Sequence, residues 1–264
     1  MICQLNGFIV AANKLSKEGY LRLKHVSMTL LLLVAWTSNL ESNERSLPRL
    51  QVVTEEWPPY NYTDQKGQVV GRATSQVLRL LSAANIDFDL NSYPWSRAMQ
   101  QAKNNPNTMI YSIFQTAERF NDFIWLCPLI ESPKMHLFRL QTRTDLTLAS
   151  IEQLAGQSVA VVNGDFADQF FKQHQRTVDV HIDNSSLGHI NFRKLIAGRV
   201  DFMVSTEFTM LEHVKSNDLN QHHVVAQIPI TTAVKEPLCM AFNKQTDPLI
   251  IAKISEVMGR RSLK

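Results

Sequence analysis

Arg119 follows Thr116, Ala117 and Glu118. Its planar guanidinium can donate two parallel hydrogen bonds to a carboxylate, each worth roughly 1.5–3 kcal/mol in net terms. The same side chain can instead pair with Glu118 or Asp122 on the protein surface. Trp57 lies in a Pro-rich turn with Pro58 and Pro59, and Trp95 opens an apolar helical pattern. Each offers apolar area and a face for a cation; the turn favours exposure of Trp57, while Trp95 is as much at home in a core. Gly164-Asp165 leads into a helix. A helix N-terminus favours an anion, yet Asp165 brings its own negative charge there and can cap the helix internally. Glu55, Glu56, Asp165 and Glu207 together would suit a cationic or polyamine-like ligand.

Other chemistries lack their residues. There is no GxSxG, P-loop or HExxH. The eight histidines are scattered without an HxxxH pair, and adjacent His222 and His223 point apart on a helix or strand. No CxxC occurs among the three cysteines. Neither a metal site nor a cofactor is expected.

The elements that position these residues alternate between strand and helix. Leu50–Val53, Asp87–Leu90, Thr108–Ile113, Met135–Leu140, Ser158–Val162 and Val200–Val204 read as strands. Ala73, Val77, Leu80, Leu81 and Ala84 recur at helical spacing, as do Trp95, Ala98, Met99 and Ala102. Ser150 and Gln153 form a capping-box pattern before Gly156. Phe166, Phe170 and Phe171 share a helical face after Asp165, and a later helix ends at Gly198. Asp247-Pro248 starts a last helix with Ile250, Ile254, Val257 and Met258 inward and Gly259 past its end. The alternation implies an α/β protein with parallel or mixed sheets.

The 264 residues are 44% hydrophobic and 19% charged, a globular composition. Net charge is +3, and removing residues 1–46 leaves about +1. That balance argues against a nucleic-acid partner, which needs a basic stripe to neutralise phosphates. Residues 1–46 stand apart. Lys14, Lys17, Arg22 and Lys24 precede the apolar run Met28–Trp36, and a polar stretch follows. That is the order of a secretory signal peptide, too short to span a bilayer. The basic region is long, so the true start is expected near Leu21 or Met28. No cysteine follows the apolar run, which argues against a lipid-anchored precursor. Cys127 and Cys239 remain in the exported body. One disulfide is permitted there, but two separate buried thiols are the expectation.

An ordered set of motifs carries a resemblance. It comprises Thr54-Glu55-Glu56-Trp57-Pro58-Pro59-Tyr60-Asn61-Tyr62, Tyr93-Pro94-Trp95-Ser96-Arg97-Ala98, Thr116-Ala117-Glu118-Arg119, Leu154-Ala155-Gly156 and Ala197-Gly198-Arg199-Val200-Asp201. The set ends on Ala241-Phe242-Asn243-Lys244. It resembles the family 3 periplasmic solute-binding proteins, the amino-acid type of the type II periplasmic binding protein fold. The resemblance implies two α/β lobes joined by two hinge crossings, with a ligand cleft between them. Lobe 1 would span 47–130 and return over 236–264, with a shortened C-terminus. Lobe 2 would span 131–235. Cys127 and Cys239 would both fall near the hinge crossings, where a disulfide would restrain the hinge.

The resemblance also assigns roles. Arg119 would grip the ligand's α-carboxylate, with Trp57 and Trp95 as aromatic walls. Ser112, Gly164, Asp165, Thr206 and Glu207 complete the expected ligand-binding set. Two departures stand out. The family's Ser or Thr five residues before the Arg is Phe114 here, and its ammonium-binding Asp falls at neutral Thr206. The implied function is a monomeric periplasmic binding protein that closes around a small polar, amino-acid-like solute. It would deliver that solute to an ABC-type permease or a membrane sensor, and it would not be an enzyme. The alternatives are a cyclohexadienyl-dehydratase-like enzyme on the same fold, and a degenerate module that binds a protein partner.

Overall fold

The computed structural model describes residues 46–175, 177–230 and 237–261. The expected signal peptide and its start lie outside them. Residues 47–264 form one compact unit. Its strands are β1 (Leu50–Thr54), β2 (Tyr62–Thr63), β3 (Val69–Val70), β4 (Phe88–Ser92), β5 (Thr108–Phe114) and β6 (Phe123–Ile130). They continue with β7 (Met135–Leu140), β8 (Ser158–Val162), β9 (His181–Ser185), β10 (Phe202–Thr206), β11 (Val224–Pro229) and β12 (Leu238–Asn243). The helices are α1 (Arg72–Ala83), α2 (Trp95–Asn104), α3 (Ala117–Phe120), α4 (Phe166–His174), α5 (Gly188–Ile196), α6 (Glu207–Ser216) and α7 (Pro248–Arg261).

Two five-stranded sheets make two lobes. The first has the order β4-β1-β5-β12-β6 and the second β11-β7-β10-β8-β9. In the first, β1 runs parallel to β4 and β5, while β12 is antiparallel to β5 and β6. In the second, β8 runs parallel to β9 and β10, and β7 is antiparallel to β10 and β11. The sheets are mixed because the chain crosses twice between lobes, once out through residues 131–134 and once back into β12. The returning strand is inserted between β5 and β6, inside the first lobe's sheet.

Each lobe has a core on both faces of its sheet. In lobe 1, α1 and α7 bury Val77, Leu80, Leu81, Ile250 and Ile254 against Met109 and Phe242. Each such Leu or Ile contributes roughly 1.5–3 kcal/mol on burial. On the other face, α2 packs Trp95, Ala98 and Ala102 against Ile110 and Ala241. In lobe 2, α4 buries Phe166, Ala167 and Phe171, while α5 and α6 bury Phe192, Leu195, Met210 and Val214 on the opposite face.

The expected strands are present, with small shifts. Val200–Val204 is displaced to Phe202–Thr206, because Gly198 turns the chain at φ +63° and Asp201 is spent on Ser158. Gly259 does not end the last helix. It lies within α7, which continues to Arg261. The two-thiol expectation is overturned as well: Cys127 on β6 and Cys239 on β12 form a disulfide, with a Cα–Cα distance of 4.7 Å. The two strands pair directly, which brings residues 112 positions apart within bonding reach.

Candidate functional site

A cavity lies between the lobes. Lobe 1 supplies Glu55, Glu56, Trp57, Trp95, Ser112, Phe114 and Arg119. Lobe 2 supplies Met135, Val162, Asp165, Phe166, Gly188, Met203, Val204, Ser205, Thr209 and His213. Its volume is about 60 Å3. At roughly 10–15 Å3 of such space per water, that is room for about four to six waters. Phe114 and Phe166 meet across the cleft with ring centroids 4.9 Å apart and take up much of its middle. Bulk at position 114 is the direct consequence of a Phe where the resembling family has a small hydroxyl residue.

Arg119 sits on the short helix α3, whose backbone turns back on Thr116. Its side chain is only 2% exposed. Nη2 donates to Gly164 O at 3.0 Å, Nη1 makes a long 3.5 Å bond to Phe114 O, and the guanidinium lies 5.0 Å from the Trp95 ring centre. Nε has no partner. Burial lowers the Arg119 pKa to about 10, while Asp165 and Glu55 act to raise it. It is a cation at neutral pH, and Asp165, Glu55, Glu118 and Asp122 all act on its charge.

Those acids hold protons unusually well. Glu55 is pushed up to about 8 by burial first and then by Asp165, against the pull of Arg119. Asp165 is pushed up to about 7, again chiefly by burial. Both residues are part-buried and line the cavity. Glu55 and Asp165, which both feel the Arg119 charge, therefore exchange protons near neutrality.

The N-terminus of α4 is already used from within. Asp165 Oδ1 accepts from Asp168 N at 2.8 Å, and Asp168 Oδ2 accepts from Gly164 N at 2.7 Å. Gly164 adopts φ +75°, which turns its carbonyl toward lobe 1. There it accepts from Trp95 Nε1 at 2.7 Å as well as from Arg119. Gly164 therefore acts through its main chain as a contact between lobes.

Ser112 is placed by a bulge. The pairing of β12 with β5 skips it, running from Ile113 to Tyr111, and Ser112 has φ +59°. Such an extra residue leaves the ladder and re-aims its side chain. Its Oγ is buried, lines the cavity and has no partner.

The structure thus gathers Arg119, Trp57, Trp95, Ser112 and Asp165 around one cavity, with Gly164 at its edge. It does not bring Thr206 and Glu207 there. The Thr206 hydroxyl caps α6 by accepting from Thr209 N at 3.1 Å, and Glu207 points to solvent on the first turn. Sequence reasoning overlooked Ser205 and His213. One signal pointed to His213: it follows Thr209 by four residues on the inward face of α6. Glu56, also in the wall, is bound by Thr63 N, Thr63 Oγ1 and Ser92 Oγ. Among the described residues no cluster of His, Cys, Asp and Glu could hold a metal, and no helix is long and apolar enough to cross a membrane.

No protein-family model and no curated protein matches the sequence. Solved structures do resemble the fold. An ancestral arginine-binding protein bound to arginine aligns with TM-score 0.71 and 20% identity, over 82% of this chain and 93% of that one. A histidine kinase sensor domain with similarity to periplasmic binding proteins aligns with TM-score 0.70 and 16% identity, over 82% and 92%. An arginine-specific periplasmic binding protein of Salmonella typhimurium gives TM-score 0.67 and 13% identity, over 82% and 95%. With its two mixed sheets, double crossing and interlobe cavity, the chain has the two-lobed fold of the type II periplasmic binding proteins.

Proposed function

We propose that this chain is a solute-binding protein of the periplasmic type, taking a small amino-acid-like solute between its lobes. One observation carries the reading: a cavity whose wall comes from both lobes and carries Arg119 together with Glu55 and Asp165, which both act on its charge. A solute with an ammonium group and a carboxylate meets opposite charges on that wall. Its ammonium displaces the protons of Glu55 and Asp165, and its carboxylate takes the unused donors of Arg119. That two of the similar structures are described as arginine-binding supports this solute class.

Hinge motion of the lobes is the accompanying conformational change. Residues 47–130 and 236–264 move as lobe 1, and residues 131–235 as lobe 2. The partner that reads the closed form is a membrane transporter or a sensor. Residues 1–46 are an export leader, and the site of action is the periplasm.

Thermal unfolding of the full chain with amino acids, oligopeptides, polyamines and organic acids tests the reading. A ligand at roughly 1,000 times its dissociation constant adds about 4 kcal/mol, which is a shift on the order of 10 °C at this size. A shift confined to amino acids supports the proposal. A shift with polyamines alone, or with nothing, counts against it.

A second reading is an elimination enzyme on this fold. Glu55 lines the interlobe cavity, where burial raises its pKa to about 8, as a general acid requires. Turnover of prephenate or arogenate by the purified protein would establish it.

A further inference from the structure

We propose that the lobe 2 side of the cavity, at Ser205, Gly188 and His213, is a subsite for an uncharged hydrogen-bonding group of the solute, such as a side-chain amide. The inference rests on the solute-binding reading and deepens it.

Ser205 Oγ and His213 Nε2 both line the cavity, and neither has a partner. The two residues are 4% and 6% exposed. Unpaired polar atoms buried this deeply cost stability unless something hydrogen-bonds to them. They come from adjoining elements. Ser205 is on β10, next to the start of α6, and His213 is on the inward face of α6 beside Thr209. The imidazole is stacked on Phe192 with ring centroids 5.2 Å apart, which holds its plane fixed.

Gly188 at the start of α5 keeps the space open. A Cβ there would lie 3.7 Å from His213 Nε2, in ordinary contact, and would cover the polar atom without strain.

The subsite favours an uncharged group for three reasons. Its own wall is Gly188, Ser205, Thr209, Met203 and His213, which carries no carboxylate. The imidazole is neutral at physiological pH, because burial and then His189 push its pKa down to about 4. Glu56, the acid on the lobe 1 side that acts on His189, already accepts from Thr63 and Ser92. A second cation placed here would be desolvated without a counter-ion. An amide both donates and accepts, so it satisfies a hydroxyl and an imidazole nitrogen of either tautomer.

The test uses three side chains on the same three-carbon stem: L-glutamine, which ends in an amide, L-ornithine, which adds an ammonium, and L-norvaline, which ends in the bare methyl. Their dissociation constants are measured by calorimetry on the full chain at pH 7.5. The expected result is glutamine tighter than both others by about tenfold or more. Gly188→Ala and Ser205→Ala should each erase most of that preference while leaving norvaline within about twofold. Binding in which ornithine equals or exceeds glutamine overturns the subsite and leaves the solute-binding reading standing. So does a Gly188→Ala variant that weakens all three alike. Absence of binding by any of the three, together with no response to the other amino acids, overturns both.

Discussion

Glu55 and Asp165 decide the pH behaviour of the site. Both have pKa values raised above those of the unfolded chain, to about 8 and about 7. Their contribution to stability is therefore fully present at low pH and is lost as pH rises through those values. His213 acts oppositely: its depressed value costs stability as pH falls from 6.5 toward about 4. Above pH 6.5 the two acids contribute a falling slope, so the ligand-free chain should lose on the order of 5 °C in Tm by about pH 9. Asp165→Asn keeps the cap on Asp168 and removes the charge, and it should flatten part of the fall, as a pH series of unfolding scans will show. Amino-acid affinity should run the other way, strengthening toward pH 8.5 as the carboxylates become available to an ammonium. Arg119→Ala should cost about tenfold or more in affinity for any ligand with a carboxylate, a loss of at least about 1.4 kcal/mol. It leaves two acids uncompensated, so calorimetry at two pH values separates the lost clamp from the shifted acids.

At the scale of elements, helices α1, α2 and α4 and strands β7 and β8 were legible because their apolar spacing is strong. The bulge at Ser112 was not, since no residue type marks a bulge, and only pairing across to β12 shows it. Nor was the inward turn of Thr206, which looks like a ligand residue until its hydroxyl is seen capping α6. The disulfide was open in sequence for the same reason: the insertion of β12 beside β6 is a property of topology. Breaking it with Cys127→Ser and Cys239→Ser together should destabilise the chain by about 2–4 kcal/mol, given the long loop it closes. Denaturant midpoints of the oxidised protein and the double variant measure this. Gly71 gives a sharper contrast. At φ +125° a Cβ would stand 2.3 Å from Tyr60 O, so Gly71→Ala should displace the turn that holds Trp57 and lower both stability and binding. Gly188→Ala, with no such clash, should lower neither Tm nor expression.

Across the whole molecule, the lobes are joined by contacts that need no ligand. Trp95 and Arg119 donate to Gly164 O, Ser96 Oγ donates to Asn163 O at 2.9 Å, and Gln173 donates to Glu118 at 3.0 Å. On the other side of the cleft the Arg72 guanidinium lies 4.7 Å from the Phe208 ring centre. Phe114 adds an apolar seam, packing with Phe166, Leu238 and Met135. A solute larger than a few waters must part this seam to enter. Trp95→Phe removes one cross-lobe bond worth about 1 kcal/mol, so small-angle scattering should show a larger radius of gyration for the ligand-free variant, restored on adding ligand. In the proposed function a single amino-acid-like solute engages Arg119 and the two acids at once. Titration calorimetry of the full chain against the standard amino acids and ornithine, at pH 6.5 and 8.5, tests this. One-to-one binding of a small subset is expected, tighter at pH 8.5 and weakened by Asp165→Asn. Binding of none at either pH, or affinity untouched by both Asp165→Asn and Arg119→Ala, would rule the arrangement out.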